Sequence, residues 1–280
     1  EPEAQELLIK GFTDVELKEV VDELYLDDAV DIIEEMPANV VKRILKSASP
    51  ETRKSINELL KYPEDSAGSI MTVEYVSLRR DMTVEDAIKR IRRTGVDKET
   101  IYICYVTDEN KKLIGLVSVR TLLLSDDDDI IEDIMETNVI SVNTMEDKEE
   151  VAKLFNKYNF LALPVVEKEG RLVGIETFDD AIDIIEEEAS EDISRMAAIM
   201  PYDKPYLRTS ILDIWKKRIP WLLILMISAT FTGAIITSYE NALAVSVTLT
   251  ACIPMLMDTG GNAGGQASAT IIRGLSTGDI

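Results

Sequence analysis

Apolar residues recur at helical spacing through the first 62 positions, in Val15-Leu17-Val20-Val21-Leu24, Val30-Ile32-Ile33-Met36 and Val40-Val41-Ile44-Leu45. Such spacing gives each helix one apolar face to bury. Met36-Pro37 and Ser49-Pro50 interrupt the pattern. It therefore predicts short helices joined by tight turns, stacked as a helical solenoid. The outward positions carry Asp22, Glu23, Asp27, Asp28, Asp31, Glu34 and Glu35, which read as a solvated acidic face unless something else in the chain gives them a task.

From about Ser69 the period changes and the chain repeats itself. Ser69-Ile70-Met71-Thr72 matches Asp133-Ile134-Met135-Glu136, and Val76-Ser77-Leu78 matches Ile140-Ser141-Val142. An amphipathic helix follows in each copy, over Thr83–Arg92 and Lys148–Lys157. Two strands come next: Ile101–Val106 and Lys112–Ser118 in the first copy, Leu161–Val166 and Arg171–Thr177 in the second. A repeat of about 60 residues with a crossover helix before a strand pair predicts two copies of one α/β module.

The pattern changes again near the C-terminus. Ile219–Tyr239 is a 21-residue stretch without a charge, about 31 Å long as a helix and able to span a bilayer core. Pro220 suits a first helical turn, Trp221 and Tyr239 suit the two interfaces, and Lys216-Lys217-Arg218 precedes the stretch, which puts the N-terminal part in the cytoplasm. A second apolar run goes from Ala242 to about Ile272. Pro254 and the glycines of Asp258-Thr-Gly-Gly-Asn-Ala-Gly-Gly-Gln266 predict a broken or closely packed helix. Asp258, Asn262 and Gln266 recur every four residues, so they share a face. Polar groups at that depth mark a permeation path, with polar interhelical packing as the alternative.

Charge follows the same division. The chain carries a formal net charge of −22; residues 1–214 hold 49 acids and 26 bases, and the remainder 3 acids and 4 bases. An acidic water-soluble part joined to an apolar part repels nucleic-acid phosphates, so no nucleic acid is expected as a partner. The absence of histidine removes the commonest general base. No nucleophile–base pair or phosphate-binding glycine loop appears, so no enzyme is expected. Cys104 and Cys252 lie in dissimilar settings and suggest neither a disulfide nor a metal clip.

The clearest chemistry in the soluble part is Asp179-Asp180-Ala-Ile-Asp183-Ile-Ile-Glu186-Glu187-Glu188-Ala-Ser-Glu191-Asp192. At 3.6 residues per turn Asp180, Asp183, Glu187 and Glu191 line one face, and no lysine interrupts the run. Acidic faces that meet across domains suit a hard cation such as Mg²⁺; a solvated helix rim is the plainer reading. Asp126–Asp129 is read as a solvated turn at the start of a helix.

Gly115-Leu-Val-Ser118 and Gly174-Ile-Glu-Thr177-Phe-Asp-Asp180 resemble the signature of the CBS domain, which works as a tandem pair. The junction Tyr62-Pro-Glu-Asp-Ser-Ala-Gly68-Ser-Ile-Met-Thr72 and the run Pro254-x3-Asp258-Thr-Gly-Gly-Asn-Ala-Gly-Gly-Gln266 resemble MgtE-type magnesium transporters. The resemblance implies a multidomain fold in the family's order. An all-α superhelical N domain (1–66) comes first, then an α/β tandem CBS pair (67–130 and 131–186). A long connecting "plug" helix (180–200) leads to an α-helical membrane segment (215–280) of two helices, with further helices beyond Ile280. Gly265 stands where the family often has asparagine, and Asn159 where aspartate is common.

The implied function is a homodimeric, multi-pass Mg²⁺ channel of the cell membrane, joined through its CBS and membrane domains. Its cytoplasmic domains sense Mg²⁺ and gate the pore through the plug helix. The implied Mg²⁺ ligands are Asp28, Asp31, Glu149, Asp180, Asp183, Glu188, Glu191 and Asp192, and the pore lining is Asp258, Asn262 and Gln266. ATP is a further implied ligand, at Arg120 and Phe160, with Ile103 and Thr121 standing where polar partners occur in the family. The competing readings are a membrane-tethered adenine-nucleotide sensor without its own pore and a soluble enzyme regulator.

Overall fold

Caps and prolines set the boundaries of five successive ten-residue helices in the computed structural model, which describes residues 2–201, 209–245 and 247–277. They are α1 (Pro2–Gly11), α2 (Asp14–Glu23), α3 (Leu26–Glu35), α4 (Ala38–Ser47) and α5 (Pro50–Leu59). Thr13 and Glu16 form a capping box on α2, and Ser49 caps α5 with Pro50 behind it. The predicted apolar stripe is the buried one: Leu17 and Val21, Val30 and Ile33, Val40 and Ile44, Ile56 and Leu59. Arg43 of α4 fastens the corner between α1 and α2, donating to the Ile9 carbonyl at 2.9 Å, to the Phe12 carbonyl and to Asp14 at 3.1 Å. The side chain of Glu35 lies outside the described residues.

The repeat is two copies of one module. The first runs α6 (Ala67–Ile70), β1 (Val76–Arg79), α7 (Val84–Thr94), a 3₁₀ turn (Gly95–Asp97), β2 (Ile103–Thr107), β3 (Leu113–Ser118) and α8 (Val119–Leu124). The second runs α9 (Ile131–Ile134), β4 (Val142–Asn143), α10 (Lys148–Tyr158), β5 (Ala162–Val166), β6 (Leu172–Thr177) and α11 (Phe178–Met196). In each sheet the first strand lies parallel to the second, which pairs antiparallel with the third.

The modules are interlocked. Thr72, on the way into the first, bridges Ile175 of β6, and Glu136, on the way into the second, bridges Leu116 of β3. The signature glycines make this approach possible. A Cβ on Gly174 would meet Met71 Sδ at 2.6 Å and the Thr72 carbonyl at 2.8 Å; one on Gly115 would meet Met135 Sδ at 2.7 Å. The second module also shares its core with the helical domain. Val151, Phe155, Leu163 and Ala181 belong to one apolar cluster with Ala29, Val30 and Ile33.

Asp126–Asp129 departs from the expectation. The acids form a turn between α8 and α9, and α9 starts only at Ile131. The Asp127 and Asp129 carbonyls accept from the free N–H groups of Glu85 and Val84, so the turn caps α7 through its backbone.

Residues 1–185 and 186–280 form two compact units, with the boundary inside α11. In the second, α12 (Ile211–Ser238) begins eight residues before the uncharged stretch, because Ser210 accepts from Asp213 N and supplies the cap. Pro220 therefore lies inside the helix, not in its first turn. Among the described residues α12 is the helix long and apolar enough to cross a membrane, with mean hydropathy 2.1. Leu222, Ile224, Ile227 and Phe231 are all exposed, as suits a lipid-facing surface. The second apolar run forms α13 (Glu240–Val245) and α14 (Val247–Ser276); Ser246 between them lies outside the described residues. Helix α14 passes Pro254 and the glycines without interruption.

Candidate metal centre

Helix α3 carries an acid in its first turn where its apolar stripe should be. Asp27 stands three residues before Val30 and is only 7% exposed, which corrects its assignment to the outer face. The α3 N-terminus receives a carboxylate from another segment: Glu74 accepts from Leu26 N at 3.1 Å. This places an acid against unsatisfied N–H groups, where the helix dipole favours it. Glu99, in the loop before β2, is tied to the same place by its N–H to the Glu74 carbonyl at 2.9 Å. One carboxylate oxygen from each of Asp27, Glu74 and Glu99 lies within 4.8 Å of the other two.

The second module adds Asp179 and Asp180 from the first turn of α11. Thr177 donates its hydroxyl hydrogen to Asp180 at 2.7 Å. Burial, followed by the Asp180 and Glu99 charges among others, pushes Asp27 up to about 8. Burial and then Asp179, Asp180, Asp28 and Glu74 push Glu99 to about 7. Burial, opposed by the Thr177 bond and helped by Asp179, Asp31 and Asp28, pushes Asp180 to about 6. Asp28 is raised by burial and Asp179, and Glu74 by burial, with the Leu26 N–H bond and then Lys98 acting against it. The carboxylates thus raise each other's pKa, which is the electrostatic condition for capturing cations.

Two further observations show that the acids are under-satisfied. Glu99 Oε2 is buried with no hydrogen-bond partner, and so are both carboxyl oxygens of Glu176. Glu176 is 1% exposed on β6 and held well above its ordinary pKa by burial and Asp180. A set of oxygen donors with unused lone pairs suits a hard divalent cation, which takes carboxylates and retained water without a closed cage.

The other expected residues are distributed unevenly. Asp28 and Asp31 are exposed on α3, and both raise Asp180 through their charge. Asp183 is exposed on α11. Glu149 lies in the first turn of α10, paired with Lys153 at 2.9 Å, and is no part of the ring. In the second unit Glu191 pairs with Arg195, and Asp192 approaches it at 3.9 Å; Glu188 lies on the same helix. On α14 Asn262 donates to Asp258 at 3.3 Å, one turn away, and Gln266 follows after another turn. Arg120 is exposed at the start of α8, and Phe160 stacks on Tyr158 with ring centroids 5.3 Å apart. Sequence patterning missed Asp27, Glu74, Glu99 and Glu176 as members of the site.

The family model for the MgtE intracellular N domain matches residues 1–65, and that for the CBS domain matches 67–127 and 131–187. The soluble part of a magnesium transporter superposes with a TM-score of 0.65 at 37% identity, over 67% of this chain and 73% of that one. The cytosolic domain of the Mg²⁺ channel MgtE in complex with ATP superposes with a TM-score of 0.63 at 42% identity, over 66% of this chain and 75% of that one. The chain belongs to the MgtE family. Magnesium transporter MgtE of Thermus thermophilus is 41% identical over 91% of this chain, and that of Bacillus subtilis 38% identical over 89%. The chain spans 57% and 55% of the length of these two MgtE relatives. The all-α N domain, the α/β CBS pair and the apolar helix that follows are the architecture of this family.

Proposed function

We propose that the chain is the Mg²⁺-sensing part and the beginning of the pore of a magnesium channel, with residues 1–66, 67–130 and 131–186 as cytoplasmic N and CBS domains. The observation that carries this reading is the ring of Asp27, Glu74 and Glu99 with Asp180 beside it, mutually destabilised when ionised. Bound Mg²⁺ supplies the positive charge that the ring lacks. Asp27, Asp28, Asp31 and Asp180 then hold α3 against α11. Without that charge the ionised carboxylates repel, and the population shifts toward an undocked N domain. Helix α11 and its continuation, residues 180–200, act as the plug helix that carries this change toward the membrane segment, residues 215–280. Asp183, Glu188, Glu191 and Asp192 supply its remaining acids, and Asp258, Asn262 and Gln266 line the path.

The rest of the reading follows the relatives. The protein is a homodimer in the cell membrane, crossing it more than once, with the acidic part in the cytoplasm. A second ligand is suggested by two separate features, the exposed Arg120 at the start of α8 and the stacked Tyr158–Phe160 pair before β5. One relative's cytosolic domain was solved with ATP; on this chain a planar base would stack on Phe160 and phosphates would meet Arg120.

Limited proteolysis of the full chain in detergent, across a Mg²⁺ titration, tests the sensor. Mg²⁺ should protect the junction between α5 and α6, and Asp27→Asn with Asp180→Asn should remove the protection. Cleavage indifferent to Mg²⁺ in the native chain would sink the reading.

A further inference from the structure

Strand β6 carries one acid among inward-facing residues, in Leu172-Val173-Gly174-Ile175-Glu176-Thr177. Side chains alternate along a strand, and directly paired residues of two strands share a face. Ile175 packs with Tyr105 and Ala162 in one apolar cluster. Glu176 takes the opposite face, paired with Leu163. Leu163 belongs to the cluster that contains Ala181 of α11 and Ala29 and Val30 of α3. Glu176 is therefore directed to the side of the sheet from which α3 and α11 present Asp27 and Asp180. The Asp180 charge acts on it directly.

An acid in that place is costly in any state. Its two oxygens have no hydrogen-bond partner and almost no water. An ionised carboxylate there lacks a counter-charge, and a protonated one leaves a donor and an acceptor unmade. A hydrophobic residue would fill the same strand position without either penalty, as Val117 does at the matching position of β3. The geometry makes sense once a positive charge is present on that side of the sheet.

We propose that Glu176 is the inner ligand of the cation site, closing it from the sheet side beside Asp180 of α11, while Glu74 and Glu99 of the first module flank it and Asp27 of α3 closes it from the N-domain side. This rests on reading the carboxylate ring as a Mg²⁺ site. The cation is then held deep in the second module, and N-domain docking covers an ion already engaged by β6 and α11. Occupancy so arranged tightens binding relative to a ring made of rim carboxylates alone.

The test is a Mg²⁺ titration of the full chain in detergent, read by thermal unfolding and by protease protection, for the native chain, Glu176→Gln, Glu176→Val and Asp27→Asn. Glu176→Gln keeps the shape if the valine variant fails to fold. Both Glu176 variants are expected to be at least as stable as the native chain without metal, and to need about tenfold more Mg²⁺ or above for half protection. A Mg²⁺ midpoint unchanged from native, with only the metal-free stability altered, overturns the proposal and leaves Glu176 a structural burden. In that case Asp27→Asn still weakens the response. If the native chain and Asp27→Asn are alike insensitive to Mg²⁺, the ring itself is not the site and the proposal falls with it.

Discussion

The hydroxyl of Thr177 donates to a carboxylate oxygen of Asp180 at 2.7 Å, from the last residue of β6 to the first turn of α11. Among burial and the surrounding acids, this bond is what favours the charged form of Asp180. Thr177→Val keeps the volume and removes the donor. A hydrogen bond to a charged group is worth about 1.5–3 kcal/mol, so the Mg²⁺ midpoint for protease protection should rise about tenfold or more. An unchanged midpoint would show that Asp180 needs no help to ionise.

Without metal, acidity should favour the docked form. Asp27, Glu99 and Asp180 have folded values of about 8, 7 and 6 against ordinary values of 3.8, 4.5 and 3.8. A raised acid keeps its proton in the folded state while the unfolded chain releases it. Stability is therefore fully present below about pH 4 as far as these groups are concerned, and is lost progressively as pH rises to about 8. Mg²⁺ requires the deprotonated groups, so its stabilising increment should grow over the same interval. Unfolding temperatures in chelator and in Mg²⁺, compared across pH, check both slopes. A metal-free stability that climbs toward pH 8 contradicts the arrangement.

Neutralising the most buried member of the ring should separate stability from sensing. Asp27→Asn removes a carboxylate at a site 7% exposed, and relief of its burial should stabilise the metal-free protein by roughly 1–3 kcal/mol. The same change should remove most of the Mg²⁺-induced rise in unfolding temperature. Glu149→Gln is the control. Its partner is Lys153 on the surface of α10, a pair worth about 0–1 kcal/mol, and the Mg²⁺ response should stay native.

What the sequence disclosed depends on how local each feature is. The helical stripe, the repeat and the α11 acids are periodic, so short windows reveal them. Glu74 and Glu99 sit in loops with no period, and a backbone bond between them, together with the bridge from Thr72 to Ile175, brings them under α3. Those contacts are tertiary. Asp27 and Asp28 are neighbours about 100° apart on the helix, and patterning favoured Asp28. The position of Asp27 three residues before Val30 was the available sign that it, and not Asp28, turns inward. Glu176 had a comparable sign, an acid two residues after the closely packed Gly174 in an otherwise apolar strand. Pro220 misled because membrane helices tolerate proline in their interior, and the Ser210 cap lies outside the uncharged stretch.

The interlock between the modules predicts an asymmetry between two matching glycines. A Cβ at Gly174 meets the Met71 sulfur at 2.6 Å and the Thr72 backbone carbonyl at 2.8 Å, whereas one at Gly115 meets the Met135 sulfur at 2.7 Å and the Glu136 carbonyl at 3.0 Å. Methionine ends can move aside, but both carbonyls are held in bridges, Thr72 O by Ile175 N at 2.9 Å and Glu136 O by Leu116 N at 3.0 Å, so the closer carbonyl approach at Gly174 is the harder one to relieve. Gly174→Ala should therefore cost more than Gly115→Ala, each in the range of about 1–3 kcal/mol for an overpacked site. Its damage also falls two residues from Glu176 and three from Thr177. We expect Gly174→Ala to weaken the Mg²⁺ response as well as stability, and Gly115→Ala to lower stability alone. Unfolding temperature and Mg²⁺ midpoint measured on the same two variants decide the matter. Equal losses in both variants would mean that the second module holds no privileged link to the carboxylate ring.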